Sequence, residues 1–231
     1  MSAQRIILLK QTTQKPAPSP DTQLADLDTV KHWVKSRSLH HHLLHYGEAQ
    51  GVTYHVDLLS KPLTFALLLR IFSRGRCFIT DQFDHCVAVT PAYLLGLAST
   101  TVADRLHQPQ LLRTIQQEIT GILEPEQGPQ HVKLDRARRP LYLRTDLVFG
   151  LQSGGSVGHI AGVLNHLDAL AGQPLFLTTD QIPTVRPDIA TVRIWPDGRF
   201  REFGDLRTLA FNARFYQEAR RQLPEEPIAL V

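Results

Sequence analysis

Leu141-Tyr-Leu-Arg-Thr-Asp-Leu-Val-Phe-Gly-Leu-Gln-Ser-Gly-Gly-Ser-Val-Gly-His-Ile-Ala-Gly-Val-Leu-Asn-His-Leu167 reads as a strand, a glycine-rich turn and an amphipathic helix. Residues 141–149 are rich in Leu, Tyr, Val and Phe, as strands are. Ser153, Gly154 and Gly155 break the strand, and glycine lets a ligand approach the backbone closely. Beyond the break, Ile160, Val163, Leu164 and Leu167 recur at helical spacing on one face. Such a helix opens with unpaired N–H groups and the positive end of its macrodipole. This is the geometry with which α/β proteins hold phosphate, and a diphosphate suits it.

Working outward, the same alternation continues. Pro174–Asp180 supplies a second strand and Thr191–Trp195 a third. Pro196-Asp-Gly198 is a turn, and Leu209–Leu223 is a helix with Phe211, Phe215 and Ala219 at apolar positions. Pro227–Val231 reads as the start of a buried parallel strand, which a following helix normally covers. The expectation is therefore an incomplete, N-terminal piece of a longer protein. Upstream, Arg5–Leu9 reads as a buried strand, and Lys10–Asp21, with three prolines, as a loop. Thr22–Gln50 reads as a helix in two pieces parted near Ser36–Ser38 and ended by Gly51; Val52–Leu58 alternates like a strand. Pro62 opens a helix to about Phe72 that Gly75 stops. Strands near 76–80 and 85–90 flank the turn Asp81–Asp84, Pro91 opens a short helix, and a longer one spans about 102–119. Residues 124–140, with Pro125, Gly128, Pro129, Pro140 and the basic group Lys133, Arg136, Arg138 and Arg139, read as a linker. The class is α/β in two units: 1–135, an accessory unit that includes the linker, and 136–231, a Rossmann-like half with a parallel sheet.

Hydrophobic residues make up 42% of the 231 and charged residues 20%, which excludes a disordered tail or a fibre. A net charge of +3 suits an anionic small ligand and is compatible with peripheral contact at an acidic membrane surface. The basic residues are too dispersed to argue for nucleic acid as a partner. A hairpin register placing Cys77 opposite Ala88 and Cys86 opposite Ile79 keeps the only two thiols apart, and with no secretory leader the expected location is cytoplasmic. No stretch nears the roughly 18 apolar residues that span a bilayer.

The glycine turn admits several readings. A dinucleotide fingerprint needs glycine at 153, 155 and 158; the chain has Ser153, Gly155 and Gly158, and Asp180 ends the second strand where a ribose-binding carboxylate would stand. A P-loop is excluded, because no Gly-Lys-Ser/Thr follows. The glycines could also serve only tight packing of strand on helix.

A further reading is a resemblance. Gly154-Gly155-Ser-Val-Gly-His159, followed by Ile160–Leu167, resembles the G-G-x-x-x-H element of GT-B glycosyltransferases, most of all the retaining, nucleotide-sugar-dependent family 4 group. Tyr142–Asp146 and Leu175–Asp180 resemble that family's first two strands, and the likeness covers about residues 140–231. It implies a sugar transfer from a nucleotide sugar to a sugar, lipid or polysaccharide acceptor, with no separate cofactor and no metal. Gly154 and Gly155 would let backbone amides reach the donor diphosphate, with Ser156 beside them and His159 facing the cleft. The family's acidic E-x-x-x-x-x-x-x-E element has no counterpart here, so no catalytic residue is assigned. An NAD(P)-dependent oxidoreductase and a non-catalytic interaction module are the alternatives.

Three other clusters draw attention. His41 and His45, i and i+4 within His40, His41, His42 and His45, could share an ion on a helix, although a solvated face explains them as well. Asp81, Asp84 and His85 could bind a cation, but aspartate is common in turns. Lys61, Arg70, Arg74 and Arg76 flank an apolar helix, as at a membrane surface or at the charged ends of a core helix.

Overall fold

The computed structural model describes residues 4–10, 12, 16–17, 19–123, 139–150, 153–196, 198–222 and 228–229. The chain forms two compact units. The first takes the described residues up to Gln108 with Gly198–Arg207; the second takes Pro109 to 196 and those from Thr208 on. The division thus falls inside a helix, earlier than the 124–140 linker read from the sequence. Residues 124–138 lie outside the described ones.

The first unit runs β1 (Arg5–Lys10), β2 (Thr22–Asp26), α1 (Leu27–Lys35), β3 (Tyr46–Thr53), α2 (Pro62–Phe72), β4 (Ser73–Thr80) and β5 (Cys86–Ala88), then enters α3 (Pro91–Leu123). Its sheet has the order β2-β1-β3-β4-β5, parallel except for β5. Ile6, Ile7 and Leu8 are buried in succession, the unbroken apolar run of a strand deep in a parallel sheet. One core joins Ile6, Leu8, Ala49 and Ile79 of the sheet to Val30 and Trp33 of α1 and to Phe65, Ala66, Leu69 and Phe72 of α2.

Several expectations are corrected here. Residues 22–26 and 46–50 are strands, not ends of a helix: each pairs with β1, and that pairing outweighs weak local helix preference. The break near Ser36–Ser38 does occur, at the C-cap of α1, where Arg37 adopts φ 57°. Gly51 lies within β3 rather than ending a helix. A Cβ there would meet Phe65 Cε1 at 2.5 Å, so its role is to let α2 lie close on the sheet. Gly75 likewise sits in β4, where a Cβ would meet the Gly47 carbonyl oxygen at 2.1 Å. After β3 the chain makes a 3-10 turn (Val56–Leu58) instead of continuing as a strand. The β4–β5 register sets Cys86 opposite Thr80 and Val87 opposite Ile79, one residue from the expected pairing; both cysteines are free. The two helices expected after Pro91 are a single one, α3, that runs through Pro109.

The second unit holds β6 (Arg139–Arg144), α4 (Gly155–Ala171), β7 (Leu175–Thr178), β8 (Ala190–Arg193), most of α5 (Gly204–Gln222) and β9 (Ile228–Ala229). All four strands are parallel, in the order β8-β7-β6-β9. Alternate residues face opposite layers. Tyr142 and Phe176 pack with Val157, Ile160 and Leu164 of α4, whereas Leu141, Leu175 and Leu177 pack with Phe211, Phe215 and Ala219 of α5. This is the α/β class expected, with helices on both faces of a parallel sheet. Strand β6 ends at Arg144, short of 149, because the Arg144 guanidinium holds the Asp146 carboxylate (2.8 Å) and the Val148 carbonyl (3.2 Å) and folds 145–148 back on the strand end. Among the described residues no helix is long and apolar enough to cross a membrane.

Candidate functional site

In the second unit the strand order reverses between β6 and β9. Open α/β sheets bind ligands at the carboxyl ends of their strands at such a reversal. The connection from β6 to α4 leaves from that point and carries the glycine turn. Its first half is locked: Gly150, at φ 74°, donates its N–H to Asp180 Oδ2 (2.6 Å). Asp180 is buried, and its Oδ1 accepts from Gln181 N (2.9 Å) and Arg193 Nη2 (3.0 Å). The Arg193 guanidinium lies 3.7 Å from the centroid of the Trp195 ring, which stacks in turn on Phe149. A carboxylate, an arginine and two aromatic rings therefore fix the approach to the turn.

The second half is open. Gly154 is the N-cap of α4 at φ 128° and ψ 174°, a conformation that essentially only glycine adopts. Among the described residues no side chain caps this helix. By contrast, Asp26 caps α1, Thr90 accepts from Tyr93 N at the start of α3, and Glu202 accepts from Leu63 N and Thr64 Oγ1 at the start of α2. Gly154, Gly155, Ser156, Gly158 and His159 are all exposed. A Cβ on Gly154, Gly155, Gly158 or Gly162 would meet nothing within 4 Å, so close packing of helix on strand does not account for these glycines. At the end of β6, Arg144 is buried and its Nη1 has no hydrogen-bond partner among the described residues. Helix N–H groups on an open backbone are an arrangement that can take an anion.

The other sequence candidates separate. His40 and His41 sit in a 3-10 turn rather than an α-helix, while His42 stacks on Trp33 at 3.7 Å and bonds the Tyr46 hydroxyl at 2.8 Å. The His40 and His41 rings lie 3.8 Å apart, but among the described residues no three of these imidazoles offer ligand atoms to one ion; burial lowers the His42 pKa, with His45 and His41 adding to the fall. Asp84 does not join Asp81 and His85; their third neighbour is His55, and the three offer ligand atoms within 4.8 Å of one another. α2 is a core helix with Phe65, Ala66, Leu69 and Phe72 buried, which accounts for its charged flanks.

Lys10 and Glu202 carried no sequence signal, because only the fold brings their charges into each other's field. Lys10 is buried at the carboxyl end of β1, with Nζ donating to the Ser60 carbonyl and lying over the Phe65 ring. Burial lowers its pKa from 10.5 to about 8; Glu202 opposes the fall, and Lys61 and Arg207 add to it. The folded chain therefore releases this proton near pH 8, whereas the unfolded chain keeps it to 10.5. Stability should rise between those values, by up to ~3 kcal/mol at 1.36 kcal/mol per unit. Lys10→Met is expected to raise the melting temperature at pH 7 and to lose that advantage by pH 10.5; an equal effect at both pH values would sink this account.

No protein-family model matches the chain, and no curated protein or solved structure is significantly similar to it.

Proposed function

We propose that this chain is the N-terminal part of a glycosyltransferase that moves a sugar from a nucleotide sugar to a sugar, lipid or polysaccharide acceptor. The observation that carries the reading is the sterically open N-terminus of α4, uncapped by any side chain among the described residues and set at the strand-order reversal of a parallel sheet. Backbone amides at Gly154 and Gly155, with the Ser156 hydroxyl, would hold the donor diphosphate. As the glycosidic bond to the donor breaks, negative charge grows on the departing diphosphate, and preorganised N–H donors stabilise charge where it develops. His159 is exposed one turn into the helix, on the same open end. The first unit is assigned to acceptor or partner recognition, and the free thiols fit a reducing cytoplasm.

The oxidoreductase alternative is weaker for a structural reason. A ribose-binding carboxylate must be reachable by the sugar hydroxyls, whereas Asp180 is buried and three of its roughly four acceptor positions already hold N–H donors of the chain itself. Calorimetric titration with nucleoside diphosphates, nucleotide sugars and NAD separates the readings. The expected result is micromolar-to-millimolar binding of a nucleoside diphosphate and its sugar. Binding of NAD alone would end the glycosyltransferase reading, and binding of neither would favour a non-catalytic interaction module.

A further inference from the structure

At the carboxyl ends of two neighbouring parallel strands of the first unit, three metal-binding side chains converge. His55 follows β3, Asp81 follows β4, and His85 precedes β5. Asp81 Oδ2 lies 3.1 Å from His85 Nδ1 and 3.9 Å from His55 Nδ1, and ligand atoms of all three fall within 4.8 Å of one another. Three ligands bound to one tetrahedral ion at about 2.0–2.1 Å stand about 3.3 Å apart, so small movements of the two rings close the set. We propose that His55, Asp81 and His85 form a binding site for a divalent first-row transition-metal ion of the zinc class, with at least one coordination position open to solvent.

Four features support the assignment. The carboxylate is placed by the backbone: Oδ1 accepts from Phe83 N (2.9 Å) and His85 N (3.0 Å), and Oδ2 from Val56 N (3.0 Å). Metal-ligating carboxylates are commonly oriented by such outer hydrogen bonds. An aspartate carboxyl is ionised at neutral pH, so this ligand meets the cation as an anion. The donor set, two imidazoles and one carboxylate, is that of mononuclear zinc and iron(II) centres with open positions. Finally, the site is reachable: Asp81 is buried and His55 half-buried, but the His85 side chain is 57% exposed. Local bonds have to yield: the proton shared between His85 Nδ1 and Asp81 Oδ2 at 3.1 Å must leave or move to the other ring nitrogen, and Asp57 N, which donates to His55 Nδ1 at 3.2 Å, must turn to water at the exposed start of the 3-10 turn.

The test uses the full chain, stripped with a chelator and titrated with Zn²⁺ by calorimetry and with Co²⁺ by visible absorption. The expected result is one equivalent bound at micromolar Kd or tighter, with visible bands of four- or five-coordinate Co²⁺. His85→Ala removes an exposed ring and leaves Asp81 its backbone donors, so it should fold and bind at least thirtyfold more weakly. His55→Ala should do the same, with its melting curve in chelator confirming the fold. His41→Ala and His45→Ala serve as controls and should bind like the parent. Failure of the parent to bind either ion below 100 μM would overturn the proposal. So would loss of binding in His41→Ala or His45→Ala with retention in His85→Ala. Neither result bears on nucleotide binding in the second unit.

Discussion

Gly155→Val should abolish measurable nucleotide-sugar binding while leaving the fold as stable as the parent. The two halves of this expectation rest on different observations. Gly155 is the first residue of α4, and a Cβ there meets no atom within 4 Å, so a larger side chain displaces nothing. Valine also forms helix somewhat better than glycine, by a few tenths of a kcal/mol, so the melting temperature should hold or rise slightly. The same empty space is where a diphosphate would have to sit to reach the helix N–H groups, and a branched side chain fills it. An affinity loss of at least a hundredfold, about 3 kcal/mol, is expected in calorimetric titration with the donor. Gly154→Val is the contrasting variant. At φ 128° a β-branched residue is strained, so it should lose stability and binding together. If Gly155→Val bound donor as tightly as the parent, the diphosphate role of the turn would fail.

Much of this architecture was legible where one local signal decided it. The helix from Pro62 was readable because proline suits a first helical turn and apolar residues follow at helical spacing. The β6-turn-α4 segment was readable because strand-like and helical periods meet at a pair of glycines. The first unit was harder where a strand is built from small or polar residues. Tyr46-Gly-Glu-Ala-Gln-Gly-Val-Thr53 is a central strand only because β1 and β4 pair with it on either side. Nothing in its own composition excludes a helix, and Gly51, which looked like a stop, instead leaves room for Phe65.

Site residues divide in the same way. Gly154, Gly155, Ser156 and His159 stand together in sequence and were found as a motif. Arg144 lay inside the strand read over 141–149 and was not singled out, because its buried Nη1, without a partner among the described residues, depends on how 145–148 folds back. His55 was missed because 25 residues and a whole helix-strand unit separate it from Asp81. Asp84, its false substitute, was only nearby in sequence; its left-handed φ of 62° marks it as a turn residue. Glu202 caps a helix that begins 140 residues earlier, and no periodicity or spacing announces such a pairing.

Asp180→Ala should be the most destabilising single change among the residues singled out from the sequence. The carboxylate holds Gly150 N, Gln181 N and Arg193 Nη2, and alanine would leave all three donors without it. Removing one partner of a buried ion pair costs about 3–5 kcal/mol. Arg193 is about one-third exposed and keeps its place over Trp195, so the lower end, about 3 kcal/mol, is expected. For a unit of roughly 100 residues that lowers the melting temperature by more than ~10 °C. Asp180→Asn should recover only part, because its amide retains one acceptor oxygen and turns an N–H₂ toward N–H groups. Donor binding should weaken alongside stability, since the locked first half of the turn aims the open second half. The measurement is thermal unfolding of both variants beside titration with donor and with NAD. A ribose-binding Asp180 would behave oppositely, with NAD affinity lost and melting temperature unchanged, and that outcome would return the chain to the oxidoreductase reading.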